Sequence, residues 1–576
     1  MKKRLFLPLF LLFSLLLPLF ASCVPGADPD GTQALTDAAT AAERDAVTFP
    51  AGTEAPDATG APETTSAETT GAPKTTEAAT EPETEPATEP ATEPATEPAT
   101  EPATEPPVTT AAETEDPSAI VALSPSFLPS LSYMSNPYSS ITNIGDPYIL
   151  YTGGTYYMYA TSGMKCWRST NLKNWAPIGR VYDYTKCAFG QEKFWAPECH
   201  EYQGKFYLVF SAANKSTGRH SIGIAVADTP EGPFTDLLPE GAPLFSPGYS
   251  VIDASLFFDD DGKCYLVYSK DCSSNWVNGK KTSQSCAFEL TSDLKATVGD
   301  PVVLSTPTEA WEKKSGNTLW NEGPCILKHN GIYYLMFSAN YYATNYYCVG
   351  YATATSVLGP YTKPKNNPIL QGSGATTSGS GHNNFFLSPD GTEIYTVYHT
   401  QVNPQSPSGN RMPNIDRLVF GEDGLLYVNG PSAWNQPVPS GVSGYYKLTE
   451  GVSAAVPGKD AAKATLLTDG LTGQDGLALG KTDAVTLTLD EPTRIAVLWL
   501  YPGQDAARAP KSVTVLINGK YLFENAAFPA TEGAPLALPL LSLPAGVLTE
   551  TAEITLTPKD GKTDASLAEI VLQYTK

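Results

Sequence analysis

Three acidic residues, a tryptophan and a histidine recur at nearly one distance from five glycine turns in this chain of 576 residues. The turns are Gly153-Gly154, Gln203-Gly204, Asp261-Gly262, Asn330-Gly331 and Asp390-Gly391. Nine residues before the turn glycine stand Trp195, Asp253, Glu322 and His382, and eight before the first stands Asp146. Carboxylates that converge in a pocket push their pKa values apart, so one can hold a proton while another accepts one. Hydrolysis of a glycosidic bond needs such a pair: an acid to protonate the leaving oxygen, and a partner to activate water or attack. Asp146, Asp253 and Glu322 each interrupt a strand-like apolar run (NIGDPYIL, VIDASLFF, WNEGPCIL). An unpaired carboxylate there would be costly, so the positions call for partners.

The elements that must position these residues are legible as hairpins. Each turn precedes an aromatic, β-rich run: YYMYATS, FYLVFSA, CYLVYSK, IYYLMFSAN and IYTVYHT. Residue-glycine turns between apolar runs are strong hairpin signals. Their recurrence roughly 50 to 70 residues apart predicts propeller blades. The expected fold is all-β: a five-bladed β-propeller over 133–440, then a smaller jelly-roll-like β-sandwich over 444–576. Innermost propeller strands converge, which would bring the five residues together. Asp146 departs by one residue, and a one-residue slip reverses the face of a strand. Its Gly153-Gly154 turn is therefore expected to be one residue shorter than the others.

The last stretch alternates short runs (AVTLTL, RIAVLWLY, SVTVLING, AEITLTP, EIVLQY) with Gly, Asp and Pro turns, as a sandwich does. Its order resembles galactose-binding or discoidin-like jelly rolls. Trp499 and Tyr501 are either a sugar platform there or core. Elsewhere, Asp259, Asp260 and Asp261 read as a solvated turn, and Glu198 and His200 as surface or supporting residues.

Residues 1–23 read as a secretory signal: Lys2, Lys3 and Arg4, an apolar stretch, then Ala21-Ser22-Cys23. Cys23 is the expected lipidation site. Residues 24–118 form a Thr/Glu/Pro/Ala-rich linker, in which Thr-Glu-Pro recurs seven times from Thr80. Such a composition buries too little surface to offset chain entropy. The net charge of −24 sits mostly here. Twenty-one acidic and two basic residues lie between Val24 and Ser118, and the signal carries +3, which leaves −8 for the remainder. That remainder offers no basic footprint for nucleic acid. These features predict a lipid-anchored protein at the extracellular face of a cell envelope, with a linker suited to a Gram-positive wall. The eight cysteines beyond Cys23 permit disulfides, and no spacing marks a zinc site.

The successive motifs GDPYIL, FWAPECHEYQGKFYLVFS, IDASLFFDDDGKCYLVYS, NEGPCILKHNGIYYLMFSAN and GSGHNNFFLSPDG resemble glycoside hydrolase family 43 across residues 133–440. The resemblance implies an inverting β-xylosidase, α-L-arabinofuranosidase or arabinanase on a five-bladed propeller. Asp146 would be the general base, Glu322 the general acid and Asp253 the residue that holds and tunes the acid. Trp195 would border the sugar subsite and Arg411, in GNRMPNIDRL, would contact the sugar. His382 would lie near a water-coordinated calcium or sodium ion. No cofactor is expected for the chemistry. The expected partner is plant cell-wall polysaccharide or oligosaccharide, and a monomer is expected. Two other readings stand beside this one. A non-catalytic glycan-binding lipoprotein would not need three converging acids. A sucrose- or fructan-cleaving propeller enzyme would show NDPNG and RDP motifs, which are absent.

Overall fold

The computed structural model of the protein describes residues 119–125, 131–561 and 564–576. The predicted signal (1–23) and linker (24–118) lie outside the described residues. The described chain is almost wholly β, and its one α-helix is Ala461–Ala464. Among the described residues no helix is long and apolar enough to cross a membrane.

Five four-stranded antiparallel sheets follow one another along the chain. Sheet one comprises Tyr148–Thr152, Thr155–Ala160, Lys165–Ser169 and Ala176–Arg180. Sheet two comprises Gly190–Tyr202, Lys205–Asn214, His220–Ala227 and Thr235–Asp236. Sheet three is built from Val251–Phe258, Cys264–Lys270, Gln284–Leu290 and Thr297–Ser305. Asn321–His329, Ile332–Ala339, Cys348–Ala354 and Leu370–Gln371 make sheet four. Gly381–Leu387, Ile394–Gln401, Arg411–Phe420 and Leu426–Val428 make sheet five. At Gly153-Gly154, Gln203-Gly204 and Asn330-Gly331 both turn residues have positive φ, the backbone of a two-residue type I′ hairpin. Sheets three and five pair only up to Phe258–Cys264 and Leu387–Ile394, so their turns are longer.

Most first strands are buried on both faces, because each sheet packs on its neighbours. Tyr148 and Tyr159 of sheet one share a core with Phe194 and Phe210 of sheet two. Val209 and Ile224 of sheet two pack with Leu256 and Tyr268 of sheet three. Phe257 of sheet three meets Leu335 and Phe337 of sheet four. Met336 of sheet four meets Phe385 and Tyr398 of sheet five. Phe386 and Tyr395 of sheet five pack with Tyr156 and Met158 of sheet one.

After sheet five, two further sheets enclose a core of Val485, Leu487, Ile495, Leu498, Val513, Ile554 and Leu572. One has six strands and the other five. An edge of the six-stranded sheet is filled from far upstream: Val121–Leu123 pairs in parallel with Tyr521–Phe523. Similarly, Tyr133–Ser135 pairs with Asn435–Pro437.

Several residues differ from their sequence reading. Trp499 and Tyr501 are 1% and 5% exposed and pack with Phe386 and Tyr395 of sheet five. Trp499 Nε1 donates to Gln573 Oε1 at 2.9 Å. These rings are interior packing, not a sugar platform. Asp259 is not simply solvated. Its carboxylate takes Lys328 Nζ at 2.5 Å and Tyr333 Oη at 2.6 Å, fastening sheet three to sheet four. Glu198 and His200 are buried and meet at 2.8 Å. All eight cysteines among the described residues are buried free thiols.

Candidate active site

In sheets two to five the first strand carries a β-bulge near its start. Trp195 pairs with Ser211 but Glu198 with Val209, and Ile252 with Ser269 but Ser255 with Val267. Likewise Glu322 pairs with Ser338 but Cys325 with Met336, and Gly381 with His399 but Asn384 with Val397. Two residues face one at each bulge, and the first of the two is left-handed. These are Ala196 (φ 55°), Asp253 (62°), Gly323 (60°) and His382 (60°). Asp146 (48°) holds the corresponding place before the first strand of sheet one. Left-handed backbone is unfavourable for residues with a Cβ and concentrates at functional sites.

The shared nine-residue offset is therefore not one strand position. Asp146, Asp253 and His382 occupy the left-handed place, whereas Trp195 and Glu322 stand one residue earlier. The offset coincides because sheets three and five have longer turns. The Gly153-Gly154 turn is not shortened; it has the same two-residue form as those of sheets two and four. A bulge re-aims the side chains around it. Glu322 can thus face the same network as His382 despite the one-residue shift.

A second regularity fixes these positions. The amide of each of four left-handed residues donates to a side chain at the end of the second strand of the preceding sheet. Ala196 N donates to Thr161 Oγ1 at 3.3 Å and Gly323 N to Ser269 Oγ at 3.0 Å. His382 N donates to Ser338 Oγ at 2.6 Å. Asp146 N donates to His399 Nδ1 at 2.9 Å, which ties sheet one to sheet five.

Asp146 is buried, and its Oδ1 takes two donor groups, His382 Nδ1 at 2.5 Å and Arg411 Nη1 at 3.2 Å. His399 Nδ1 also lies 2.8 Å away, but it accepts from the Asp146 amide and so does not donate to the carboxylate. Arg411 is held by its own Nε on Gly409 O (3.1 Å) and lies 4.4 Å above the Tyr342 ring. Glu322, also buried, accepts from Tyr347 Oη at 3.0 Å. The same hydroxyl lies 3.1 Å from His382 Nδ1. Since His382 Nδ1 donates its proton to the Asp146 carboxylate, it cannot also accept one from tyrosine. The Tyr347 hydroxyl proton therefore goes to Glu322. Three contacts of 2.5, 3.1 and 3.0 Å in series place Asp146 Oδ1 and Glu322 Oε1 at most about 8.6 Å apart. Asp253 Oδ2 accepts from Gly323 N at 3.3 Å, so it grips the backbone next to Glu322. The structure thus brings Asp146, Glu322, His382 and Arg411 into one network, with Asp253 at its edge.

Trp195, half-buried, stacks on His220 at 4.2 Å and 21°, within sheet two. Burial pushes the His220 imidazole down to about 4, with Asp271 opposing and Lys193 reinforcing the shift.

Asp146, His382 and His399 each offer a ligand atom within 4.8 Å of the others. Their contacts are hydrogen-bonding ones, and two imidazoles with one carboxylate oxygen do not match calcium, which takes six to eight oxygens. His382 Nε2 is buried with no hydrogen-bond partner among the described residues. With its proton on Nδ1, that nitrogen is an acceptor.

Sequence reasoning missed His399, Tyr347 and Tyr342. His399 had a signal: it stands in YHT where the matching runs carry Ser211, Ser269 and Ser338. Tyr347 and Tyr342 lie in the aromatic segment NYYATNYYC, whose register no pattern fixed.

The pattern that defines the group "Glycosyl hydrolases family 43" matches residues 135–426. The chain is similar to a beta-D-galactofuranosidase of Aspergillus niger, 36% identical over 269 residues, covering 45% of this chain and 66% of that one. It is also similar to an extracellular exo-alpha-(1->5)-L-arabinofuranosidase of Streptomyces avermitilis, 28% identical, covering 52% of this chain and 63% of the relative. The chain thus spans just under two thirds of the length of these relatives. Among solved structures, a thermostable family-43 glycoside hydrolase is 45% identical with a TM-score of 0.51, covering 53% of this chain and 99% of that one.

Proposed function

Because this chain belongs to family 43 of the glycosyl hydrolases, we propose that it is an inverting glycosidase acting on arabinose- or xylose-containing plant polysaccharides or oligosaccharides. The observation that carries this reading is the network joining Asp146 to Glu322 through His382 and Tyr347, with the two oxygens no more than about 8.6 Å apart. That limit leaves room for the water of an inverting pair, ~6.5–9.5 Å apart; a retaining pair at ~5–5.5 Å also falls under it, and the anomeric configuration of the product separates the two. Asp146 is the base: it takes a proton from water as the water oxygen attacks the anomeric carbon. Glu322 is the acid: it gives its proton to the glycosidic oxygen as the carbon–oxygen bond breaks. Asp146 ends protonated and Glu322 ionised, and exchange with solvent resets both. Arg411 and His382 hold the base, and Asp253 holds the backbone of the acid. Trp195, on its His220 stack, borders the sugar.

The five sheets are blades of a five-bladed propeller spanning 133–440, with a β-sandwich over 444–576. In support, each sheet packs on the next, sheet five packs on sheet one, and the Asp146–His399 bond joins the same two. The similarity to an extracellular arabinofuranosidase and the Cys23 motif support a lipid-anchored enzyme at a cell surface. Calcium or sodium, if held, is held through water at His382. Family 43 chemistry itself needs no cofactor.

Aryl arabinofuranoside, xyloside and galactofuranoside, with linear arabinan and xylan, test the reading. Asp146→Ala should nearly abolish turnover on all of them. Glu322→Ala should lose far less on an aryl glycoside, whose leaving group needs little protonation. Equal losses on both substrate types argue against Glu322 as the acid, and a retained anomeric configuration by NMR argues against inversion. A wild-type protein that binds these glycans without turnover is a binding lipoprotein instead.

A further inference from the structure

Aromatic side chains among the described residues are buried or half-buried, with two exposed exceptions. Trp276 is 62% exposed and Tyr346 is 44% exposed. The other strongly exposed large apolar residues among the described residues are aliphatic: Ile120, Val298, Val302, Val303, Leu466, Leu541 and Leu548. Both aromatics lie in the loop between the second and third strands of their sheets, sheet three for Trp276 and sheet four for Tyr346. In an antiparallel sheet that loop lies at the end where the first strand begins, the end that carries Asp253 and Glu322.

The Trp276 loop is built, not slack. Trp276–Val277 pairs with Lys280–Lys281 across Asn278-Gly279, both at positive φ, as a type I′ turn requires. Its base is fastened to the segment that leads into Glu322. Leu319 N donates to Lys281 O at 2.9 Å, Ser283 N to Leu319 O at 2.8 Å and Asn321 N to Ser283 O at 3.2 Å. Asn275 Nδ2 closes it on Thr282 O at 2.8 Å and on Gln284 Oε1 at 2.9 Å. Trp276 stands directly across the hairpin from Lys281, and Lys281 lies beside Leu319. Tyr346 precedes Tyr347, whose hydroxyl holds Glu322. The Trp276 hairpin is therefore fastened to the segment that leads into Glu322, and Tyr346 adjoins in sequence the residue whose hydroxyl holds Glu322.

On the reading proposed above, Glu322 protonates the leaving oxygen, so the leaving sugar lies on its side of the cleft. The geometry points to Trp276 and Tyr346 as aromatic platforms for sugars beyond the scissile bond, on the leaving-group side. Aromatic rings offer sugars a flat apolar face at little entropic cost. The hairpin fixes the backbone that carries Trp276, and Lys280, Lys281 and Asn278 beside it offer hydrogen-bond donors to sugar hydroxyls. The ligand class is an oligosaccharide long enough to extend past the first leaving sugar. The site is thus fitted to chain substrates rather than to short glycosides.

The test compares a disaccharide, a pentasaccharide and an aryl glycoside of the preferred sugar, with wild type, Trp276→Ala, Trp276→Tyr and Tyr346→Ala. The readout is the ratio of kcat/KM for the pentasaccharide to that for the disaccharide. Trp276→Ala should lower this ratio roughly three- to tenfold, mainly through KM, since stacking that is equal in ground and transition states acts on binding alone. Trp276→Tyr should restore most of it, and Tyr346→Ala should lower it by a smaller factor. An unchanged ratio in Trp276→Ala overturns the assignment, as does a loss equal for all three substrates. A wild type inactive on every glycoside refutes the enzymatic reading itself, a separate outcome from an unchanged ratio.

Discussion

Replacing Tyr347 by phenylalanine removes one hydroxyl and little else. The ring is buried, stacks on His399 at 5.5 Å and 10°, and fills the space above Gly381, all of which phenylalanine preserves. What is lost is the hydrogen bond to Glu322 Oε1 at 3.0 Å. Since His382 Nδ1 donates to Asp146, the tyrosine proton points at Glu322 and favours its ionised form. A hydrogen bond to a charged group contributes about 1.5–3 kcal/mol, and one pKa unit is about 1.4 kcal/mol. Removing it should raise the Glu322 pKa by about 1–2 units. An acid must be protonated to act, so the alkaline limb of kcat/KM on an unactivated disaccharide should move up by the same amount. The acid limb, which reports Asp146, should move much less. The assay is a pH–rate profile for wild type and Tyr347→Phe, with thermal denaturation to confirm equal folding. An alkaline limb that stays in place or moves down refutes the hydrogen-bond polarity, or the role of Glu322, from which the shift is derived.

Other expectations concern stability. Glu393 is buried at the junction of sheet five and the two sheets that follow it, where it meets Arg417 Nε at 3.1 Å and Lys447 Nζ at 3.5 Å. Glu393→Ala takes a carboxylate from two partly buried cations, which keep Glu569 nearby, and should cost about 2–4 kcal/mol in urea denaturation; a loss below about 1 kcal/mol would show that the cluster relaxes freely. A Cβ on Gly350 would sit 2.2 Å from Trp311 Cη2, in a ring that stacks on Phe337. Gly350→Ala should therefore lower stability by about 1–3 kcal/mol, readable as a lower melting temperature, and an unchanged one would contradict the packing. His220 falls from 6.5 to about 4 on folding. The unfolded chain then binds the extra proton between those values, so the stabilising contribution is complete above pH 6.5 and is lost as pH falls toward 4. Comparing pH 7 with pH 4.5, His220→Phe should lose about 2–3 kcal/mol less than wild type. Parallel losses in the two proteins would mean that the His220 imidazole is not held neutral.

The hairpins were legible because type I′ turns demand Gly or Asn at fixed places, and Asn330-Gly331 or Gly153-Gly154 can do little else. Asp146, Asp253, Glu322 and His382 were legible because charged or titratable residues inside apolar runs need partners. Their common register was not. A β-bulge adds a residue without leaving a compositional mark, so an offset counted from the turn glycine combined two strand positions and required a shortened turn that does not exist. Tyr347 was invisible, and His399 was marked only by standing where the matching runs carry serine, for a different reason. Each acts on a residue of another strand or sheet, and only packing decides which face of a fully buried strand meets which neighbour. Trp499 could be read as platform or core from sequence alone. Burial against sheet five decided it.

The pairing of Val121–Leu123 with Tyr521–Phe523 encloses that of Tyr133–Ser135 with Asn435–Pro437, and the second encloses all five sheets. These closures are nested, and that gives the chain an order in time. Joining ends so distant carries an entropic cost that local hairpins do not bear. Each sheet, a meander of neighbouring strands, can form as it is made, whereas the two outer pairs must wait. During synthesis the segment around Val121 emerges early, and its partner at Tyr521–Phe523 is made only about 400 residues later. The first strand of the described residues is thus among the last to dock, and a chain cut short before Tyr521 would leave that strand without its edge.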